Sequence, residues 1–210
     1  MIQLTRVSVG YSGELLHAEK LELEAGKVYA LVGRNGIGKS TFIQTISGIQ
    51  KQLAGEITMN GQLISEYNPR EIAEFISLVD TRFEGVEYLK VKDYLALGRA
   101  PFTDAFGRMD SNDWRIVEEV ASDLSIQHLL EKNTDQISDG ERQLCSVGRA
   151  FVQETPVILL DEPTQAAIQK AISAIVQEHA ADPARRVWML QAQAQLILSI
   201  PCHLRTPAAQ

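Results

Sequence analysis

The run GRNGIGKS, residues 33–40, has residue types and a spacing that can bind phosphate. It fits the pattern G-x-x-x-x-G-K-[ST] in full, in which glycines let successive backbone N–H groups face phosphate oxygens. Lys39 is then expected to contact the β- and γ-phosphates of a nucleotide, and the Ser40 hydroxyl is expected to bind Mg²⁺. The residues predicted to bind the phosphates are Gly33, Arg34, Asn35, Gly36, Ile37, Gly38, Lys39, Ser40 and Thr41.

Two carboxylates, Asp161 and Glu162, follow the apolar run at 157–160. In a protein with a phosphate-binding loop, an Asp at the end of a strand can hold Mg²⁺, usually through water. Glu162 beside it is placed to polarise an attacking water as a general base. An Asp-Glu pair on its own is more often a solvated acidic turn, and the loop upstream is what favours the magnesium site.

The segment ISDGERQ, residues 137–143, precedes a helical pattern. Ser138 can serve as its N-cap, and Glu141 three residues later completes a capping box. On these residues alone the segment is interpreted as an ordinary helix start.

The elements that must position these residues alternate between strands and helices. A helix is predicted from the phosphate loop to about Ser47, where Gly48 can cap it. Asn68-Pro69 begins a helix that ends near Phe75, and most of 86–151 is helical, with N-cap residues from Asp110 to Asp113. Strands are predicted at 2–9, 15–24, 27–32, 76–79, 157–160 and 187–190, with a hairpin over 56–64 that turns at Asn60-Gly61. This alternation implies an α/β core with parallel strands.

Composition narrows the class of protein. The 210 residues favour a single domain, and 45% hydrophobic with 22% charged residues is an ordinary globular composition. A net charge of −7 argues against binding duplex DNA through a broad phosphate-facing surface, so no nucleic-acid partner is expected. Two cysteines cannot build a disulfide framework. No apolar run reaches the roughly 20 residues of a membrane span, and Met1 is followed by strand-like alternation rather than by a leader.

Taken in order, these motifs resemble those of the ATP-binding subunit of ABC transporters. GRNGIGKST at 33–41 resembles the Walker A motif of that family, and VILLDE at 157–162 resembles its Walker B motif. ISDGERQ resembles the signature motif, with Asp139 where Gly is more usual. Tyr11 matches the aromatic residue that stacks on adenine, although a turn or edge aromatic explains it equally well.

A finer resemblance lies in LALGRAPF, residues 95–102, which is similar to the helical lobe of the subgroup that imports iron chelates, haem and cobalamin. The resemblance implies a single ABC ATP-binding domain over 1–210. Its P-loop NTPase core would carry an N-terminal antiparallel β subdomain and an inserted α-helical subdomain at about 86–150.

The family resemblance also implies a mechanism and partners. Two subunits are expected to dimerise head to tail, so that each ATP with its Mg²⁺ lies between the Walker A motif of one chain and the signature motif of the other. The helical subdomain would dock a membrane permease at the cytoplasmic face of the plasma membrane, with a substrate-binding protein involved indirectly. The residues expected to contact ATP from the other chain are Ser138, Asp139, Gly140, Glu141 and Gln143.

Three positions depart from the family pattern. Thr81 stands where the family has a Gln that joins Mg²⁺ to the helical lobe, so it is expected to be at most a weak metal ligand. The loop at 165–168 lacks the expected Asp, and 191–194 lacks the expected His. All 14 glycines lie before residue 149. The segment 165–210 is therefore hypothesised to be degenerate, truncated or in a shifted reading frame, which leaves the domain short at its C-terminal end.

The leading interpretation is an ATPase subunit that couples ATP binding and hydrolysis to import of an iron chelate, haem or cobalamin. The alternative is an ATP-binding switch whose hydrolysis is impaired by the missing Gln and His. A soluble ABC-type ATPase of DNA repair or translation is disfavoured, because the long coiled coil or tandem second cassette is not found here. A fragment that does not fold stably is the fourth possibility.

Overall fold

The computed structural model describes residues 1–24, 27–79, 85–104, 106–161 and 187–192. Eight strands are present in this part of the chain: β1 Ile2–Gly10, β2 Glu14–Leu23, β3 Val28–Val32, β4 Ala54–Met59, β5 Gln62–Leu63, β6 Ile76–Val79, β7 Val157–Leu160 and β8 Val187–Ala192. Five α-helices accompany them: α1 Lys39–Ile46, α2 Pro69–Phe75, α3 Val91–Ala96, α4 Ser111–Asp123 and α5 Asp139–Val152. Short 3₁₀ helices lie at Ile64–Glu66, Leu97–Phe102, Gln127–Leu129 and Thr134–Gln136.

An antiparallel sheet is formed by the first part of the chain, with strand order β2-β1-β4-β5. The β4–β5 hairpin turns at Asn60 and Gly61, which have φ angles of 52° and 85°. Two positive φ angles at the central residues are what a tight hairpin turn needs, and Asn-Gly adopts them readily. One face of the sheet packs on α1 through a buried cluster that includes Leu4, Ile43 and Ile57.

A parallel sheet carries the site, with strand order β3-β8-β7-β6. β8 lies between β3 and β7, and Leu190 pairs with Ala30 on one side and with Leu160 on the other. All four residues of β7 are buried, as expected for a strand covered on both faces. The carboxyl ends of β3 and β7 lead directly into the phosphate loop and Asp161, so these groups meet at one edge of the sheet.

Three helices pack together beside the parallel sheet. α3, α4 and α5 share a buried cluster with residues of β6 and β7, including Leu95, Val117 and Val147. Each of α4 and α5 begins with a capping box, made by Asp110 with Asp113 and by Ser138 with Glu141. In each box these hydrogen bonds satisfy two N–H groups, that of the N-cap residue and that of the third helical residue, and they fix where the helix starts.

The expected α/β architecture with an antiparallel β unit is confirmed. The predicted strand at 187–190 is present and two residues longer than expected. The predicted division into a helical subdomain at about 86–150 and a divergent segment at 165–210 remains a prediction, and most of the second segment lies outside the described residues. Over the part of the chain that the structure describes, no helix is long and apolar enough to cross a membrane.

Candidate functional site

The phosphate loop runs from the end of β3 to the start of α1. Gly36 and Gly38 have φ angles of 80° and 102°, a conformation that side-chain-bearing residues rarely adopt. A Cβ on Gly38 would lie 2.9 Å from the Cβ of Leu15. The sharp turn and the close approach of β2 therefore both require glycine at this position.

Lys39 is held inside the loop that precedes it. Its side chain is almost fully buried, with the residue 4% exposed. The Nζ ammonium donates to the carbonyl oxygens of Gly33 and Arg34, each at 3.0 Å. A positive charge is thus fixed at the N-terminus of α1, where the helix dipole adds to it. This arrangement can bind the oxygens of a phosphate chain.

Ser40 and Asp161 are 121 residues apart in sequence and meet at the edge of the parallel sheet. The Ser40 hydroxyl donates to Asp161 Oδ1 at 3.1 Å. Mg²⁺ prefers oxygen ligands and usually keeps several waters. The pair fits this ion in its chemistry: the Ser40 hydroxyl would bind it, and Asp161 would hold it, usually through water. Among the described residues, no group of three or more His, Cys, Asp and Glu side chains forms a metal site.

The rest of the loop is divided between exposed and buried positions. Arg34, Asn35 and Ile37 are exposed at its tip, whereas Thr41 is buried on α1. Tyr11, at the end of β1, is 68% exposed and thus accessible for stacking. Two further candidates, Glu162 and Thr81, lie outside the described residues, so the predicted general base and the weak metal ligand remain predictions.

The second candidate group lies at the start of α5. Glu141 Oε2 accepts from both the backbone N–H and the hydroxyl of Ser138, at 2.8 and 2.7 Å. These two hydrogen bonds, the backbone one foremost, hold the pKa of the Glu141 carboxyl below its usual value. The capping box predicted from the sequence is confirmed, and within this chain it directs the Ser138 hydroxyl to its own helix.

Asp139 and Gly140 face outward from the same turn. The Asp139 side chain is 96% exposed and is paired with Arg142 Nη1 at 3.0 Å. A Cβ on Gly140 would meet nothing within 4 Å, so no contact among the described residues requires glycine there. Gln143 follows as a partly buried residue. Arg142 was not among the sequence candidates, although its place in the motif is a signal that could have singled it out.

A strand–loop–helix that closes on a buried lysine, opposite a strand-end aspartate, defines a P-loop nucleotide-binding domain. The family model described as ABC transporter matches residues 16–165. The chain belongs to the ABC transporter family.

The curated relatives match the same part of the chain. An uncharacterised ABC transporter ATP-binding protein of Methanocaldococcus jannaschii is 37% identical over 165 residues, which cover 78% of this chain and 57% of the relative. The iron(3+)-hydroxamate import ATP-binding protein of Bacillus subtilis is 30% identical, covering 76% and 60%. The ferric enterobactin transport ATP-binding protein of Escherichia coli is 32% identical, covering 76% and 59%. The aligned part is therefore about three fifths of the length of each of these relatives.

Solved structures support the fold. A dimeric ATP-binding cassette, in a post-hydrolysis state bound to ADP and Pi, has a TM-score of 0.77 and 20% identity, covering 93% of this chain and 90% of its own. A nucleotide-free ATP-binding cassette from an ABC transporter has a TM-score of 0.78 and 18% identity, covering 95% and 84%.

Proposed function

We propose that this chain binds Mg·ATP and hydrolyses it as the ATP-binding subunit of an ABC importer. The observation that carries the proposal is the 3.1 Å hydrogen bond from Ser40 to Asp161, beside a buried Lys39. It places a hydroxyl, a carboxylate and an ammonium at one edge of the parallel sheet. This is the set of groups that a nucleotide triphosphate with its metal ion needs.

Each group of the proposed site has its own part in the reaction. The loop N–H groups and Lys39 hold the β- and γ-phosphates and stabilise the negative charge that develops on them. Ser40 and Asp161 hold Mg²⁺, which neutralises phosphate charge when bound. Glu162, next to Asp161 in the chain, accepts a proton from the attacking water. Tyr11 stacks on adenine.

We propose further that two copies close on ATP. At the start of α5, Ser138 and the Gly140 N–H would bind the γ-phosphate held by the other copy, with Asp139, Glu141 and Gln143 in the same motif at that interface. α5 has 14 residues, so its N-terminus offers a favourable dipole and free N–H groups to an anion. The open space beside Gly140 supports close approach of a partner on this face.

The insertion at about 86–150 is the part that we expect to dock a permease. Val86, Tyr88 and Phe106 are 51%, 86% and 82% exposed, so their apolar surface is available for contact with another protein. Docking there would hold the chain at the cytoplasmic face of the membrane, with a substrate-binding protein acting on the far side. Import of an iron chelate, haem or cobalamin rests on the resemblance of segment 95–102, and the relatives named for iron(3+)-hydroxamate import and ferric enterobactin transport support only the iron chelate.

A second candidate function is an ATP-binding switch that does not complete transport turnover. It is favoured by Thr81 in place of the family's Gln and by residues 191–194, which lack the family's His. Both functions share the phosphate loop, and they differ only in whether phosphate is released.

Phosphate release by the wild-type chain separates the two functions, and substitution of Glu162 tests the proposed base. Purified chain is incubated with Mg·ATP, released phosphate is measured, and dimerisation is followed by light scattering. Hydrolysis is expected in the wild type and is expected to fall at least about 100-fold in Glu162→Gln, with ATP-driven dimerisation retained. Glu118→Gln, an exposed carboxylate on α4, is the matched control and should hydrolyse ATP normally. Tight binding without release in the wild type would favour the switch.

A further inference from the structure

Thr134 joins two segments that are far apart in sequence. Its hydroxyl accepts from the Val86 N–H at 2.8 Å and donates to the Val86 carbonyl at 2.9 Å. Its own N–H donates to the Leu89 carbonyl at 2.8 Å. Thr134 is 0% exposed. The buried hydroxyl thus both donates to and accepts from the backbone of one residue. Breaking either hydrogen bond would leave a buried polar group without a partner, which is unfavourable, so the two segments are held together tightly.

Further contacts hold the two segments together. We call the segments 85–92 and 130–135, taken together, the clamp. Val91 and Lys92 donate backbone N–H groups to the carbonyls of Lys132 and Leu130, at 2.9 and 3.1 Å. Glu131 accepts from the ammonium groups of Lys90 and Lys92, at 2.6 and 2.7 Å.

Two further features belong to the clamp. The ammonium groups of Lys90 and Lys92 lower the pKa of Glu131 to about 2, but this carboxylate is exposed, so the pairs add little to the stability of the clamp. A Cβ on Gly85 would lie 2.6 Å from the Thr134 carbonyl oxygen, so the two segments approach as closely as glycine allows.

Arg142 connects the clamp to the first turn of α5. Its Nε donates to the Thr134 carbonyl at 3.0 Å, and its Nη2 donates to the Asp135 carbonyl at 3.2 Å. Its Nη1 reaches back to Asp139 Oδ1 at 3.0 Å. A planar guanidinium with fixed donor directions can hold three acceptors in one geometry, which a lysine ammonium cannot do.

We propose that Thr134 and Arg142 are positioning residues, which make the clamp and the first turn of α5 move as one body. Movement of the segment at 85–92 then carries Ser138 and Gly140 with it. The assignment of Ser138 to a nucleotide on another copy rests on the proposed function. The mechanical connection rests only on the hydrogen bonds described above, and the two are tested separately.

The connection is tested by amide hydrogen exchange, which requires no nucleotide. Thr134→Val removes both bonds to Val86 and keeps the side-chain shape, whereas Thr134→Ser keeps the hydroxyl. In Thr134→Val we expect the Glu141 amide, on α5, to exchange at least about tenfold faster, and in Thr134→Ser to stay within about twofold of the wild type. In an Arg142→Gln background, Thr134→Val should change the Glu141 rate by less than about twofold.

A second measurement tests the effect on assembly. Mg·ATP affinity and the ATP concentration for half-maximal dimerisation are measured in the Glu162→Gln chain, alone and combined with Thr134→Val or Thr134→Ser. We expect Thr134→Val to leave ATP affinity within about twofold and to raise the dimerisation midpoint at least about tenfold, with Thr134→Ser restoring it. A merely structural role would not separate the two quantities.

Arg142→Gln is the second variant and is needed if Thr134→Val does not melt cooperatively. It should accelerate exchange of the Val86 and Thr134 amides at least about tenfold. Arg115→Gln is its control, since Arg115 pairs only with residues of α4 among its described contacts. Unchanged exchange in folded Thr134→Val or Arg142→Gln protein overturns the connection. If the Glu162→Gln chain binds ATP and does not dimerise, the proposed function is contradicted. In that case the hydrogen-exchange measurement alone tests the connection between the clamp and α5.

Discussion

At the phosphate site, the positions of some side chains follow from the local sequence, whereas the positions of others depend on a residue far away in the chain. The positions of Gly38 and Lys39 could be predicted, because the loop motif requires a particular backbone conformation at the glycine and a positive charge at the lysine. The contact between Ser40 and Asp161 spans 121 residues. It was predictable only because both follow apolar strands, whose carboxyl ends meet at one sheet edge.

Ser40→Ala tests the proposed metal ligand. Because it removes one oxygen ligand and the bond to Asp161, Mg·ATP should bind about tenfold more weakly, about 1.4 kcal/mol. Binding of ATP in EDTA should be nearly unchanged. Titration calorimetry with and without Mg²⁺ measures both. Ser47→Ala is the matched control, since its hydroxyl bonds the Gln44 carbonyl at the other end of α1. Equal weakening with and without Mg²⁺ would remove Ser40 from the metal site.

Among the secondary-structure elements, helix starts were predictable and the contacts of their side chains with other segments were not. Ser138 and Glu141 form the predicted capping box because a cap depends on four consecutive residues. Arg142 binds backbone carbonyls of a preceding turn, and carbonyl acceptors carry no sequence signal. The placement of β8 between β3 and β7 was also unpredictable, since strand order depends on the whole sheet.

Gly140→Ala distinguishes a helix start from a binding surface. Among the described residues the added methyl group meets open space, and alanine in a helix is favoured over glycine by up to about 1 kcal/mol. The thermal midpoint should therefore stay the same or rise. If the proposed dimer forms, a methyl group at this surface should block it and raise the ATP concentration for dimerisation at least about tenfold. Scanning calorimetry and light scattering measure the two quantities, and a variant that dimerises normally would contradict the proposed contact.

For the molecule as a whole, the position of β8 bears on the hypothesis for 165–210. A strand from that segment lies in the middle of the parallel sheet, paired on both sides. Such a strand contributes to the fold whatever the origin of the residues around it. The departures from the family pattern concern side chains that act on nucleotide. Strand pairing needs only backbone groups and apolar alternation. A segment can therefore lack those side chains and still form a strand of the sheet.

Leu190→Pro tests whether β8 is integral to the fold. Proline removes a backbone donor from a central strand, and a carbonyl left unpaired costs about 1–3 kcal/mol. We expect the thermal midpoint to fall by several degrees or the transition to lose cooperativity. Leu63→Pro, on the edge strand β5, is the control and should have a small effect, because Leu63 already has a φ of −61°, which proline adopts. Circular dichroism melts compare the two, and equal midpoints for Leu190→Pro and wild type would mean that β8 adds little to stability.

The most direct measurement is calorimetric titration of the folded chain with Mg·ATP, together with Lys39→Ala and Lys51→Ala. Lys39 is buried in the phosphate loop and donates to two of its carbonyls, whereas Lys51 is exposed beyond α1. We predict that the wild type and Lys51→Ala bind Mg·ATP with equal affinity and that Lys39→Ala binds at least about 100-fold more weakly. A cooperatively folded wild-type chain that does not bind, or a Lys39→Ala chain that binds as tightly as the wild type, would contradict the proposed site.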